Sequence, residues 1–246
     1  MNEYVRKIDH ERTSILSRLP HLDIELTERC NNDCVHCCIN LPAGDVAARA
    51  REMSTEQVKG ILRQAVDLGC LQVRYTGGEP LLRPDIFDLA HYGTRLGLRM
   101  VMAPNGTLIT KDIAHRLAEA GIQRLSVSLD GASADTHDEF RKVPGAFDGA
   151  LRGIELIKQA GIPFQINTTV TQFNLDQIPE IQKLAVDLGA VAHHIFLLVP
   201  TGRGKYIVDQ AITAEEGYEA LITTLGAETA ALEGRRVVLR GSDSET

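Results

Sequence analysis

The chain has 246 residues, 43% of them hydrophobic, enough to bury one sizeable core as one large α/β domain or two small ones. A formal net charge of −7 argues against a general nucleic-acid binder, and the polar start MNEYVRKIDHERTSIL has no apolar run of signal-peptide length. No stretch is apolar for long enough to cross a bilayer, so a soluble, cytoplasmic chain is expected, with neither membrane nor nucleic acid among its partners.

After a polar extension over residues 1–20, HLDIEL reads as a first strand that delivers the chain into CNNDCVHCC. A cadence follows. In STEQVKGILRQAVDLG, Ser54 and Gln57 have capping-box spacing, Val58, Ile61, Leu62 and Ala65 share a face, and Gly69 suits the helix end. The strand CLQVRY then runs into TGGEP. A helix from near Pro84 to Gly97 precedes LRMVMA and PNG, and one from Thr110 to Gly121 precedes IQRLSVSL and DG. A third, with Phe147, Leu151, Ile154 and Ile157 on one side, stops at Gly161 before FQINTTV. A fourth, from Asn174 to Gly189, precedes AHHIFLLV and PTGRGK, and AEEGYEALITTLGAETAAL reads as a last helix. Strands alternating with helices imply parallel βαβ units with right-handed crossovers. Six such strands suit an α/β fold, either a partial (β/α)6 TIM-like barrel or an open doubly wound sheet.

Turn-forming and polar residues collect at the C-terminal strand ends: the cysteines, Gly77-Gly78-Glu79, Asn105, Ser128 with Asp130, Asn167 and Thr201-Gly202. Each alone is ordinary turn chemistry. Together they mark the rim where parallel α/β folds bind ligands. His193 and His194 alternate faces at a strand start, and one of them is expected to pack in the barrel.

Residues 30–38 hold four of the chain's five cysteines and a histidine. Reduced surroundings favour metal or redox chemistry over a disulfide. Cys30, Cys34 and Cys37 have C-x3-C-x2-C spacing. A structural zinc site wants a second ligand pair, which Cys70, alone at a strand start, does not supply. His36 and Cys38 could complete one only if neighbouring residues turned inward together. A [4Fe–4S] cluster on three thiolates would leave one iron open to a small molecule.

CNNDCVHC after a first strand, TGGEPLLRPD after a second and SVSLDG after a fourth resemble the radical S-adenosylmethionine (SAM) superfamily over about His21–Lys205. The resemblance implies a core barrel over residues 21–210, with a C-terminal helix and polar tail over 211–246. It implies that Cys30, Cys34 and Cys37 bind a [4Fe–4S] cluster whose fourth iron is chelated by SAM. Backbone groups of Gly77, Gly78 and Glu79 would meet the methionine amino end, glycine allowing close approach. Ser128 and Asp130 would bond the ribose or methionine region, with Asn105 and Asn167 close by. Arg141 would pair with the SAM carboxylate, and Val199 and Pro200 would lie near the adenine. Cys38 stands where many relatives carry an aromatic and is expected not to be a ligand.

The implied chemistry is reductive cleavage of SAM and abstraction of a substrate hydrogen atom, with reduced ferredoxin or flavodoxin as the electron source. FLLVPTGRGK resembles the same stretch in enzymes of haem and haem d1 synthesis, which act on tetrapyrroles, and in peptide-modifying relatives. Arg203 and Lys205 could meet substrate carboxylates or form a solvated basic loop. Those relatives usually continue into a domain with auxiliary clusters, for which this chain lacks the cysteines, so either a short member or a truncated form is expected. Two other readings remain: a non-catalytic cluster- and SAM-binding sensor, or an assembly partner. A plain ferredoxin fails, because it needs no barrel and would carry a fourth thiolate.

Overall fold

The computed structural model describes residues 19–39 and 41–212 and the backbone of 236–240. The first eighteen residues, the last helix expected over 214–232 and the tail from 241 lie outside the described residues.

The expected cadence is present. Strand β1 (His21–Thr27) is followed by a two-residue bridge of Arg29–Cys30 with Leu41–Pro42 and by helix α1 (Val46–Arg51). Helix α2 (Thr55–Asp67) starts at the Ser54/Gln57 capping box. Strand β2 (Gln72–Gly77), helix α3 (Ile86–Arg95), strand β3 (Arg99–Met102) and helix α4 (Lys111–Glu119) alternate next. Strand β4 (Arg124–Ser128), helices α5 (Ala134–Arg141) and α6 (Ala146–Gln159) and strand β5 (Phe164–Val170) follow. Helix α7 (Ile178–Leu188) leads to strand β6 (Ala192–Leu197). All six strands pair in parallel in chain order.

Two findings go beyond the sequence reading. A seventh strand, β7 (Arg236–Arg240), pairs in parallel with β6. Helices α1 and α5 were not expected. Both are short, and α1 has alanine and arginine where an apolar stripe would have shown it.

The two faces of the sheet differ in chemistry. Val73, Tyr75, Met100, Met102, Leu125, Val127, Phe164 and Ile166 pack with Leu62, Leu89, Leu117 and Ile154 of the helices in one core. Alternation then turns the intervening residues, Arg74, Arg99, Arg124, Gln165 and Asn167 among them, to the opposite face. Parallel strands covered by packing on both sides read as continuous apolar runs. Here the inner face is polar, which suits a lined cavity and not a second packed layer. His193 lies on the helix side, 2.5 Å from Gln182 Oε1 of α7 and 2.8 Å from Thr168 Oγ1, which makes it the packed member of the histidine pair.

Candidate functional site

Strand β1 delivers Cys30 to the rim, and the loop it opens is held from several sides. Asp33 N donates to Arg141 O at 3.0 Å and Val35 N to Phe140 O at 3.1 Å, so the end of α5 carries the middle of the loop. His36 stacks on Phe140 with ring centroids 4.6 Å apart, and burial lowers its pKa to about 4. On the far side, Arg203 N donates to Cys37 O at 3.0 Å, Arg203 Nη1 donates to Asp33 O at 3.0 Å, and the same guanidinium pairs with the Asp33 carboxylate. A Cβ on Gly202 would lie 2.5 Å from Cys38 Cα. PTGRGK is therefore a clamp on the cysteine loop. Arg203 is partly exposed and already paired with a carboxylate, and Lys205 lies over Tyr206.

The glycines expected to admit a ligand admit backbone. A Cβ on Gly77, whose φ is 115°, would lie 2.4 Å from Thr27 O, and one on Gly78 would lie 2.1 Å from Arg29 O. Gly78 N donates to Thr27 O at 2.7 Å and Glu79 N to Arg29 O at 2.8 Å, docking the end of β2 onto the lead-in to the cysteines. An ammonium group needs acceptors, so what this segment can offer SAM is its carbonyl oxygens.

The Glu79 side chain is fully buried and accepts from Leu81 N at 3.0 Å and Asn105 N at 2.7 Å, joining β2 to the end of β3. Burial pushes its pKa up to about 7 against those two hydrogen bonds. Asn105 Nδ2 donates to Asn31 Oδ1 at 2.8 Å, Thr107 Oγ1 donates to Asn105 Oδ1 at 2.7 Å, and Asn31 Nδ2 donates to Thr107 Oγ1 at 2.8 Å. Asn105 thus ties the cysteine loop to β3.

Asp130 and Arg141, expected at the SAM site, lie together beside the cysteine loop. Asp130 has no exposure; Oδ1 accepts from Thr169 N at 2.8 Å and the carboxylate pairs with Arg141 Nη2. Burial pushes the Asp130 pKa up, but Arg141, His36, His137 and the Thr169 hydrogen bond together outweigh it and hold the carboxyl below its ordinary range. Arg141 Nη1 donates to Cys34 Sγ at 3.4 Å, so its guanidinium joins the acid to a cysteine sulfur. Ser128 and Asn167 face each other in register on β4 and β5, and Asn167 Oδ1 accepts from Gln165 Nε2 at 3.0 Å. Val199, 45% exposed, and Pro200 follow β6 at the rim.

Residues that sequence reasoning passed over form the floor of the loop. Glu52 Oε1 accepts from Thr27 Oγ1 at 2.5 Å and from Arg29 Nε at 2.7 Å, and Arg83 Nη1 lies 3.8 Å from Glu52 Oε2. Arg83 stands inside the TGGEPLLRPD stretch already singled out; Arg29, between the first strand and the cysteines, and its partner Glu52 were missed.

The donor set fits an iron–sulfur cluster. Cys34 is buried, Cys30 and Cys37 are half-buried at the rim, and Cys38 is exposed. Asn32 N donates to Cys30 Sγ at 3.4 Å and Arg141 to Cys34 Sγ, contacts that favour thiolates. Burial pushes the free Cys30 and Cys37 thiols up to about 11, so metal binding must displace their protons. Among the described residues no three His, Cys, Asp or Glu side chains are gathered closely enough to hold a single metal ion. Thiols spread along one loop suit a cluster in which each binds a different iron.

A partial parallel barrel with a three-cysteine loop at the carboxyl rim defines a class of proteins that mount an iron–sulfur cluster over a barrel cavity. The model of the Radical SAM superfamily matches residues 24–185, and the chain belongs to that family. Its cofactors are accordingly a [4Fe–4S] cluster and SAM. The chain is 52% identical over 180 residues to the AdoMet-dependent heme synthase of Methanosarcina barkeri, a match covering 73% of this chain and 51% of that protein. It is 50% identical over 197 residues to the AdoMet-dependent heme synthase of Oleidesulfovibrio alaskensis, covering 80% of this chain and 50% of that protein. The chain spans about half the length of the curated relatives it matches. Streptococcus suis SuiB bound to precursor peptide SuiA shares the fold, with a TM-score of 0.79 at 21% identity over 98% of this chain and 53% of that one. Among the described residues no helix is long and apolar enough to cross a membrane.

Proposed function

We propose that this chain is the catalytic core of a radical SAM enzyme that acts on a tetrapyrrole precursor of haem. The identity of half or more to two haem synthases, over nearly three-quarters or more of this chain, carries the reading. The polar inner face of the barrel is consistent with it. When bound, the cluster and SAM supply one-electron cleavage and hydrogen-atom abstraction.

The protein's part is placement. Cys30, Cys34 and Cys37 would hold the cluster, and carbonyl groups of Gly77, Gly78 and Glu79 would accept from the SAM amino group. Ser128 and Asn167, in register across β4 and β5, would meet the ribose, and Val199 and Pro200 would lie near the adenine. Asp130, Arg141 and Asn105 act one step back, fixing the loop, the β4 end and the β3 end. Rigid placement matters because a misplacement of about 1 Å can cost on the order of a hundredfold in rate. Reduced ferredoxin or flavodoxin supplies the electron.

The test is anaerobic reconstitution with iron and sulfide, followed by SAM, dithionite and iron coproporphyrin III, an iron tetrapyrrole with a propionate on each pyrrole. Release of 5′-deoxyadenosine should rise with the porphyrin and not with an acidic peptide of similar charge. Release that responds only to the peptide would overturn the substrate reading and leave the family intact. A cluster of about four irons without any SAM cleavage would instead favour a sensor or an assembly partner.

A further inference from the structure

Below the rim, three arginines on adjacent strands turn to the same inner face. Register places Arg74 of β2 beside Val101 of β3, and Val101 beside Arg124 of β4; Arg99 sits opposite Gln72, one step lower. Their neighbours Val73, Met100 and Leu125 are fully buried in the helix-side core, which fixes the arginines on the inner side.

The face is short of negative charge. Asp23 pairs with Arg74, and among the described strand residues the other carboxylate on this face, Glu25, is exposed on β1, the edge strand. Arg124 has one weak partner, Gln165 Oε1 at 3.4 Å, and Arg99 has no side-chain hydrogen bond or ion pair among the described residues. The Nε atoms of Arg74, Arg99 and Arg124 are all buried, with no partner among those residues. Burial, and then the nearby Arg99, disfavour the charge on Arg124. Guanidinium does not give up its proton, so such a cluster is relieved by an anion and not by titration. A floor built only for packing would pair these charges or replace them with apolar side chains.

We propose that Arg74, Arg99 and Arg124 form a carboxylate-binding floor inside the barrel, which receives the propionate groups of the substrate. The inference rests on the tetrapyrrole reading and deepens it. Arg74 lies three residues before Gly77 on β2, about 10 Å below the rim at ~3.3 Å per residue, and Arg124 four before Ser128 on β4, about 13 Å below. A flat macrocycle standing between floor and rim would have propionates on the guanidinium forks and its opposite edge near the SAM site. Arg suits this role because its planar fork binds carboxylate through two hydrogen bonds.

The experiment titrates the reconstituted full chain with iron coproporphyrin III and with its tetramethyl ester, following the Soret band. The wild type should bind the acid at least tenfold more tightly than the ester. Arg99→Gln with Arg124→Gln should weaken acid binding about ten- to a hundredfold and leave ester binding unchanged, while substrate-free cleavage of SAM persists. Arg124→Lys, which keeps the charge, should lose less. Arg99→Gln alone should raise the thermal midpoint of the ligand-free protein, because it removes a positive charge that opposes the neighbouring Arg124; a merely structural arginine would lower it. If the wild type prefers the acid and the double variant keeps that preference, the arginine floor is wrong and the substrate reading stands. Equal binding of acid and ester by the wild type also overturns the floor. Binding of neither overturns the substrate reading, and the floor with it.

Discussion

Replacing Gly78 by alanine tests whether the GGEP segment shapes the cysteine loop. The new Cβ would lie 2.1 Å from Arg29 O and 2.6 Å from Arg29 C, both backbone atoms that no rotamer change can move. Reaching a tolerable contact needs the end of β2 and the lead-in to Cys30 to part by about 1 Å. That separation strains two backbone hydrogen bonds, Gly78 N to Thr27 O and Glu79 N to Arg29 O. At about 1 kcal/mol net for each, and more if the buried donors are left unpaired, destabilisation of roughly 2–4 kcal/mol is expected. Gly44→Ala is the control, since nothing lies within 4 Å of a Cβ there. Urea unfolding of the iron-free protein reads the stability, and iron content with 5′-deoxyadenosine release reads the site. Gly78→Ala should lower all three, with release down on the order of a hundredfold, and Gly44→Ala should change none. A Gly78→Ala protein with wild-type midpoint, iron and turnover would refute the reasoning that this glycine is needed to dock the loop.

Three further outcomes are expected. Cys37→Ser should lose cluster iron and SAM cleavage, whereas Cys38→Ser, altering an exposed thiol, should keep both, as read by iron analysis and the nucleoside assay. Arg141→Met should leave the unexposed Asp130 carboxylate without its counter-charge, costing about 3–5 kcal/mol in urea unfolding at pH 7.5. Burial lowers the His193 pKa from 6.5 to about 4, so between those values the unfolded chain binds a proton that the folded one refuses. Stability contributed by the neutral ring is present above pH 6.5 and is lost as pH falls toward 4, at up to about 1.4 kcal/mol per pH unit. A His193→Gln variant should show a pH dependence of unfolding shallower by that amount, and an unchanged slope would refute it.

The helices with strong signals were legible because each signal is local: a capping box at Ser54, a glycine past each helix end, an apolar stripe between. Strand β7 carries Val237 and Val238 between arginines and glycines, a run too short to stand out without its partner β6. The three cluster cysteines were legible from spacing because ligands on one loop are close in sequence. Roles that depend on distant pairing were not. Sequence marks Asp130 as a rim residue but not its pairing with Arg141, and marks Arg203 as a basic loop residue but not its contacts with Asp33 and Cys37. Glycine spacing likewise predicts a close approach without saying what approaches; at Gly77 and Gly78 it is the chain's own backbone.

Those contacts also explain how a loop with little regular structure can hold a large cofactor in place. The cysteine loop takes support from β2 through Gly78 and Glu79, from β3 through Asn105, from α5 through Phe140 and Arg141, and from the segment after β6 through Arg203. Each support comes from a different strand end or crossover, so the loop reaches its geometry only when the barrel has closed far enough to bring them together. Substitutions at these supports should therefore impair cluster assembly without touching a cysteine. Changes to the arginines of the inner face, which lie below the loop and outside this set of contacts, should leave the cluster in place and alter only what the barrel can bind. Iron content and ligand affinity are for that reason separable readouts in this chain.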